Sequence, residues 1–213
     1  MTLPATWTTI DDLDGLTAVI GEPMPRTRDK ARPALLPIDR DWLAASPFCI
    51  IATAGPGGAD ASPKGDPAGQ LVHVIDETTI AIAERPGNRR ADGYRNILDD
   101  PHVGLIFLIP GRGDTLRING RARLVSDAPF FDDMVVKDHR PVLAIAVEID
   151  EVFHHCSKAF LRSQLWDAAT WDPEGRVPRR AVVAQLCERP DDPIEELDAY
   201  YEVTNYSRGL YAG

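Results

Sequence analysis

Hydrophobic positions follow two different periods along this chain. Over residues 1–47 they recur at helical spacing: "TIDDLDGLTAVIG" carries one apolar face and ends at Gly21, and "IDRDWLAAS" puts Asp39 as an N-cap before a short helix. Between them "EPMPRTRDKARPALLP" is a proline-broken connection. From Phe48 the period becomes that of strands. "FCIIAT" is a short β-branched run, "GPGG" a hairpin-type turn, and "ADASPKGD" leads into "GQLVHVID" and "TTIAIAE". After an arginine-rich segment come "VGLIFLI", the turn "PGRGD", the long strand "TLRINGRARLV", a helix opening at Ser126, and "PVLAIAVEIDEVFHH". Six strands joined mostly by short turns predict an antiparallel barrel or sandwich, not a doubly wound parallel sheet.

The faces of those strands say where each belongs. "VGLIFLI" and "VLAIAVEI" are apolar at nearly every position, the pattern of strands covered on both sides, so they are expected at the centre. "TLRINGRARLV" alternates, with Leu116, Ile118, Ala122 and Leu124 on one face and Arg117, Asn119, Arg121 and Arg123 on the other. Beyond Cys156 the helical period returns in "SKAFLRSQLW", "RRAVVAQLCE" and a terminal "DPIEELDAYYEVTNYSRGLY" with an acidic start and a basic end. The expected class is α+β. One domain over 1–213 is expected, with a helical segment 1–47, a barrel core 48–156 and a helical segment 157–213.

Composition narrows the function. The 213 residues hold 23 Lys and Arg against 33 Asp and Glu, a net charge of −10, so the mean field repels nucleic acid and anionic lipid. No apolar run approaches the roughly 20 residues of a membrane span, and the N-terminus lacks a secretory pattern. A cytoplasmic protein is expected. Three widely spaced cysteines suggest neither a disulfide framework nor a zinc ribbon, and His154 with Cys156 supplies too few ligands for zinc, so no metal site is expected. Phosphate-binding glycine loops and the nucleophile-elbow motif are absent, and no catalytic residue is assigned.

Against that acidity, "ERPGNRRADGYRNILDDP" puts three of its four arginines within seven positions. Read with Asn88 as N-cap, Arg89 and Arg90 fall in a helical first turn, where they oppose the helix dipole unless an anion receives them. Two readings stand: ordinary surface pairing with Glu84, Asp92 and Asp99, or a phosphate site built from N–H groups and guanidinium forks. "ASPKGDPAG" puts Ser62 and Lys64 on one side of an extended segment, either a polar strip for a ligand or an exposed hairpin. Lys158 and Arg162, at i and i+4, form a solvated face or reach towards an anionic cofactor.

Taken together, "ASPKGDPAG", "GNRRADGYRNI" followed by "DDP", and "HCSKAFLRSQLW" resemble the pyridoxamine 5'-phosphate oxidase-like FMN-binding split-barrel family, over about residues 35–205. Within it they resemble a branch of FMN-dependent enzymes of unassigned substrate. The resemblance implies a six-stranded antiparallel split β-barrel with flanking helices, usually a homodimer with FMN in grooves at the subunit interface. It implies that Arg89 and Arg90 hold the FMN phosphate, assisted by Asn88, Arg95 and Asn96. Ser62 and Lys64 would lie along the isoalloxazine or ribityl side, with Lys64 near the pyrimidine edge. The chain lacks the basic strand motif and C-terminal arginine–tryptophan signature that recognise pyridoxine phosphate, so vitamin B6 oxidation is not expected. The implied function is an FMN-dependent oxidoreductase acting on a small-molecule substrate or nicotinamide donor. Alternatives are a non-catalytic flavin-binding or sensing module, or a split barrel for haem or deazaflavin with His73, His102, His154 or His155 as axial groups.

Overall fold

The computed structural model describes Pro4 and residues 6–211. The chain divides into two compact units, residues 1–31 and 32–213. In the first, α1 (Leu13–Ile20) begins where the Asp12 carboxylate accepts the Gly15 N–H at 2.7 Å, and ends at Gly21 with φ 79°. That left-handed stop is the one expected from the sequence. A single turn, α2 (Pro25–Arg28), follows.

The second unit opens with α3 (Pro37–Ala45) and is built on one antiparallel sheet. Its strands are β1 (Phe48–Gly55), β2 (Gly58–Gly65), β3 (Val72–Val74), β4 (Thr79–Ala83), β5 (His102–Leu108), β6 (Thr115–Val125) and β7 (Ala144–His155), in spatial order β2-β1-β5-β6-β7-β4-β3. Six strands were expected and seven form. "ADASPKGD", left out of that count although Ser62 and Lys64 are expected on an extended segment, is strand β2 and pairs with β1 from Gly55↔Gly58 to Phe48↔Gly65. Its Pro and Gly residues are depleted from strands, but an edge strand has an unpaired side on which a missing N–H costs nothing.

β6 is the central strand and behaves as its alternation predicts, with Leu116, Ile118 and Ala122 buried and Arg121 and Arg123 exposed. A bulge at Asn119/Gly120 interrupts its pairing with β7, and a Cβ at Gly120 would overlap the Glu148 carbonyl oxygen, so only glycine fits. β5 departs from expectation. Val103, Leu105 and Phe107 are buried, but the opposite face is open, leaving Ile106 of β5 with Phe48 and Ile50 of β1 as a partly exposed apolar row.

On the inner face lies the main core, with Cys49, Ile51, Ile80, Ile82, Leu105, Phe107, Leu116, Ile118, Ile145 and Val147. Helix α4 (Asp92–Asp99) seals it from above β1 through Ile97. A 3₁₀ turn over Pro129–Met134 replaces the helix expected from Ser126, and buries Phe131 and Met134. Past β7 come α5 (Lys158–Ser163), α6 (Pro173–Arg176), α7 (Arg180–Cys187), α8 (Ile194–Tyr201) and α9 (Val203–Tyr206). The single terminal helix expected is thus broken at Glu202, whose side chain accepts the Asn205 N–H and starts a new turn. Among the described residues no helix is long and apolar enough to cross a membrane.

Asp39 anchors α3 to the sheet, though not as an N-cap. It sits at the third helical position, fully buried, where it accepts the Leu36 N–H at 2.7 Å, two bonds from the Arg32 guanidinium at 2.7 and 3.1 Å, and lies 3.0 Å from His154 Nε2 on β7. Burial raises its pKa, but the Arg32, Leu36 and His154 bonds outweigh that and hold the carboxyl below the ordinary range. A depressed folded pKa stabilises above the unfolded value of about 3.9 and is lost as pH falls through the folded value. Asp39→Ala, which leaves Arg32 uncompensated, should lower unfolding free energy by about 2–4 kcal/mol in urea titrations at neutral pH. The difference from wild type should shrink below about pH 4.

Candidate functional site

Edge strand β2 and the segment just past β4 approach each other without pairing. Lys64 near the end of β2 reaches Glu84 just past β4, Nζ to Oε2 at 2.7 Å, and donates to the Tyr94 hydroxyl of α4 at 2.7 Å. Two residues on, buried Asp66 accepts Arg85 Nε at 2.8 Å, and Arg85 also donates to the Met134 carbonyl at 3.0 Å. The sheet therefore curls into a barrel whose seam is spanned by side chains, not by a backbone ladder. That is a split barrel.

Within the seam lies a cavity of about 480 Å³, lined by β2 from Asp60 to Asp66, the segment from Ala83 to Tyr94, and Ile51, Thr53, Leu71, Ile97 and Ile145 from below. Its size falls in the range of small-molecule sites. Apolar residues form the floor and charged ones the rim. Lys64 is paired with Glu84, Arg85 with Asp66, and Arg90 with Asp92, whose hydrogen bond raises the Arg90 pKa with a further contribution from Asp60. Arg89 has no ion-pair partner among the described residues. Cys49, beneath Lys64 on β1, is no nucleophile: burial pushes its thiol up to about 12, against a smaller downward pull from Lys64.

The arginines are not in a helix. α4 starts at Asp92, with Ala91 before it at φ 59° and Arg89 also left-handed at φ 59°. Asn88 does not cap the helix; its side chain accepts the Arg90 N–H at 3.0 Å in a local turn. The conflict with the helix dipole expected from the sequence therefore does not arise, because acidic Asp92 occupies the first turn. Two non-glycine left-handed residues in three cost of order 1–3 kcal/mol each, a strain that clusters at ligand sites.

Ser62, Lys64, Asn88, Arg89 and Arg90 all line this cavity. Arg95 and Asn96 on α4 do not. Arg95 is exposed, 3.7 Å from Asp92, and the Asn96 amide donates to Thr53 Oγ1 at 3.1 Å. Lys158 and Arg162 lie on α5, away from this cavity, beside the β5–β6 turn, where the Trp166 indole donates to the Arg112 carbonyl at 2.6 Å. Of the candidate axial histidines none lines it. His73 stacks on Phe130, His102 is 2.6 Å from Asp100, and His154 meets Asp39. No cluster of three metal-ligating side chains exists among the described residues.

A second cavity of about 850 Å³ shares the wall from Glu84 to Arg89 and is closed on its far side by Val142, Tyr200, Tyr206, Leu210 and Tyr211. The Tyr211 hydroxyl donates to Asp66 at 3.0 Å, tying the end of the described chain to the seam. Sequence reading singled out neither Asp66, Arg85 nor Tyr211. The available signal was the opposed charge order of "KGD" and "ER", which only the strand order brings face to face.

Comparison with known proteins gives one family. The model of the pyridoxamine 5'-phosphate oxidase family matches residues 38–156, from α3 through the last strand. No curated protein matches the sequence. Among solved structures, HupZ of Group A Streptococcus is 15% identical with a TM-score of 0.46, covering 56% of this chain and 93% of that one. A putative pyridoxamine 5'-phosphate oxidase from Lactobacillus delbrueckii is 20% identical with a TM-score of 0.45, covering 58% and 98%. An FAD-binding protein from Mesorhizobium loti is 16% identical with a TM-score of 0.39, covering 58% and 96%.

A double-mutant cycle tests the seam. Lys64→Met and Glu84→Gln should each destabilise by about 1–3 kcal/mol, since each leaves a half-buried polar partner unmatched. The pair should show a coupling of about 1–2 kcal/mol in thermal or urea unfolding. Simple additivity would mean that the seam is held by something else.

Proposed function

The chain belongs to the pyridoxamine 5'-phosphate oxidase family, and we propose that within it the protein is an FMN-dependent oxidoreductase serving a small-molecule substrate or nicotinamide donor. One observation carries this reading: Arg89 stands on the rim of an apolar-floored cavity in the seam with no carboxylate of its own. The strained backbone at Arg89 and Ala91 supports it, because the loop holds a costly shape just where an anion would be received. FMN, when bound, supplies the redox chemistry. The chain supplies position and charge. Arg89 and Arg90 hold the phosphate, with Asn88 fixing the loop by accepting the Arg90 N–H. Ser62 and Lys64 face the ring or ribityl side, and Lys64 sets a positive charge near the ring edge.

Lys158 and Arg162 are remote from this groove within one chain, so a role for them on FMN requires a second copy to complete it. The partly exposed row of Phe48, Ile50 and Ile106 at 36–38% exposure supports a homodimer, being an apolar strip on the outer face of the sheet. The signature for pyridoxine phosphate is absent, so the family's name does not fix the substrate.

Purified protein mixed with FMN should develop bound-flavin absorption. Arg89→Ala with Arg90→Ala should weaken FMN at least about 100-fold, the loss of two charge-assisted bonds, and unchanged affinity would overturn the phosphate assignment. Protein-dependent consumption of NADH or NADPH above the free-flavin background separates an enzyme from a carrier. Ile106→Asp should shift sedimentation from dimer to monomer; a wild type that sediments as a monomer rules out the shared groove.

A further inference from the structure

We propose that the second cavity is a chamber for an uncharged, planar aromatic molecule, held edge to edge with the flavin groove. This rests on the flavin reading for its role as a substrate chamber, but the cavity and its wall are independent of it. The two cavities have Glu84 to Arg89 in common, so whatever fills one lies a single loop away from the other.

The walls specify a flat ring. Tyr200, Tyr206 and Tyr211 face it together with the His139 imidazole, which itself stacks on Tyr211. Tyr200 and Tyr206 cross at 79° with centroids 5.7 Å apart, so the corner they form presents one ring edge and one ring face. Both are half exposed, and neither hydroxyl has a hydrogen-bond partner among the described residues. Val142, at 80% exposure, and Leu210 add apolar surface beside them. Apolar groups left this open around a concavity are the signature of a ligand site, and flat aromatic walls favour offset or edge-on stacking with a flat occupant.

The charges specify that it is neutral. Among the lining cations, Arg85 is held by Asp66, and Arg140 by Asp127 at 2.8 Å and Asp132 at 2.6 Å; the lining carboxylate Glu84 is held by Lys64. Arg89 alone is uncompensated, and it stands on the shared wall. With a phosphate bound to it in the first cavity, the second has no unpaired guanidinium or carboxylate in its lining; the Lys137 ammonium, outside the lining, is spent on the Tyr211 ring, 5.1 Å from its centroid. Tyr211 fastens the chamber's outer wall by donating to Asp66, itself part of the seam.

The test titrates FMN-loaded protein with naphthol, a neutral planar ring, and with naphthalenesulfonate, its anionic counterpart. Naphthol should bind, and Val142→Trp, which fills the chamber from an exposed position, should weaken it at least about tenfold. Tyr206→Ala should weaken it as well, while both variants keep their FMN and near-ultraviolet circular dichroism. Naphthalenesulfonate should bind the loaded protein at least about tenfold more weakly than naphthol. No naphthol binding, naphthol affinity unmoved by Val142→Trp, or an equal preference for the sulfonate overturns the proposal. Should FMN not bind at all, the flavin reading fails on its own. The apoprotein then tests the chamber alone: Val142→Trp must still weaken naphthol, and the sulfonate must gain because Arg89 is free.

Discussion

Everything in the site depends on how the barrel is closed. Where two strand edges meet by a ladder, they lie about 4.8 Å apart and no ligand passes between them. Here β2 and the end of β4 are joined instead by the Lys64–Glu84 and Asp66–Arg85 pairs, with the Tyr94 and Tyr211 hydroxyls as ties. Side chains of that length hold the edges apart by the width of a groove. The opposed order of charges, cation then anion on one edge and anion then cation on the other, also fixes the register. A slip would bring like charges together. Closure and cavity are therefore one structural fact, which is why the second cavity shares residues with the first.

Much of the fold was legible from hydrophobic period alone. The alternation of β6, the interior places of β5 and β7, the Gly21 stop and the helices after Cys156 follow from positions that packing dictates locally. What escaped was what tertiary context decides. β2 reads as a turn-rich connection because Pro63 and its glycines suit an edge and nothing else. Asp39 reads as an N-cap because its partners lie outside its helix, Arg32 seven residues away across a proline-broken connection and His154 115 residues away on β7. The outer face of β5 reads as buried because an apolar side chain signals a wish for cover and cannot say which molecule provides it.

The site was legible in part and for the same reason. Arg89 and Arg90 stood out as excess positive charge in an acidic chain, and they do line the cavity. The helical turn assigned to them does not form, because Arg89 and Ala91 adopt left-handed backbone that no propensity scale favours for those residues. Lys64 was visible as a candidate, but its partners Glu84 and Tyr94 lie 20 and 30 residues away. The carboxylates around the rim also explain how the acidity coexists with anion recognition: they neutralise every guanidinium and ammonium group there except one.

Pro63 sits on the edge strand that borders the groove, two residues before its end. A strand edge of this kind normally offers alternating donors and acceptors to any extended peptide that drifts against it. With no amide hydrogen at Pro63, the row of donors has a gap beside the groove. The barrel can thus keep its slot open without inviting another chain's strand to zip it shut.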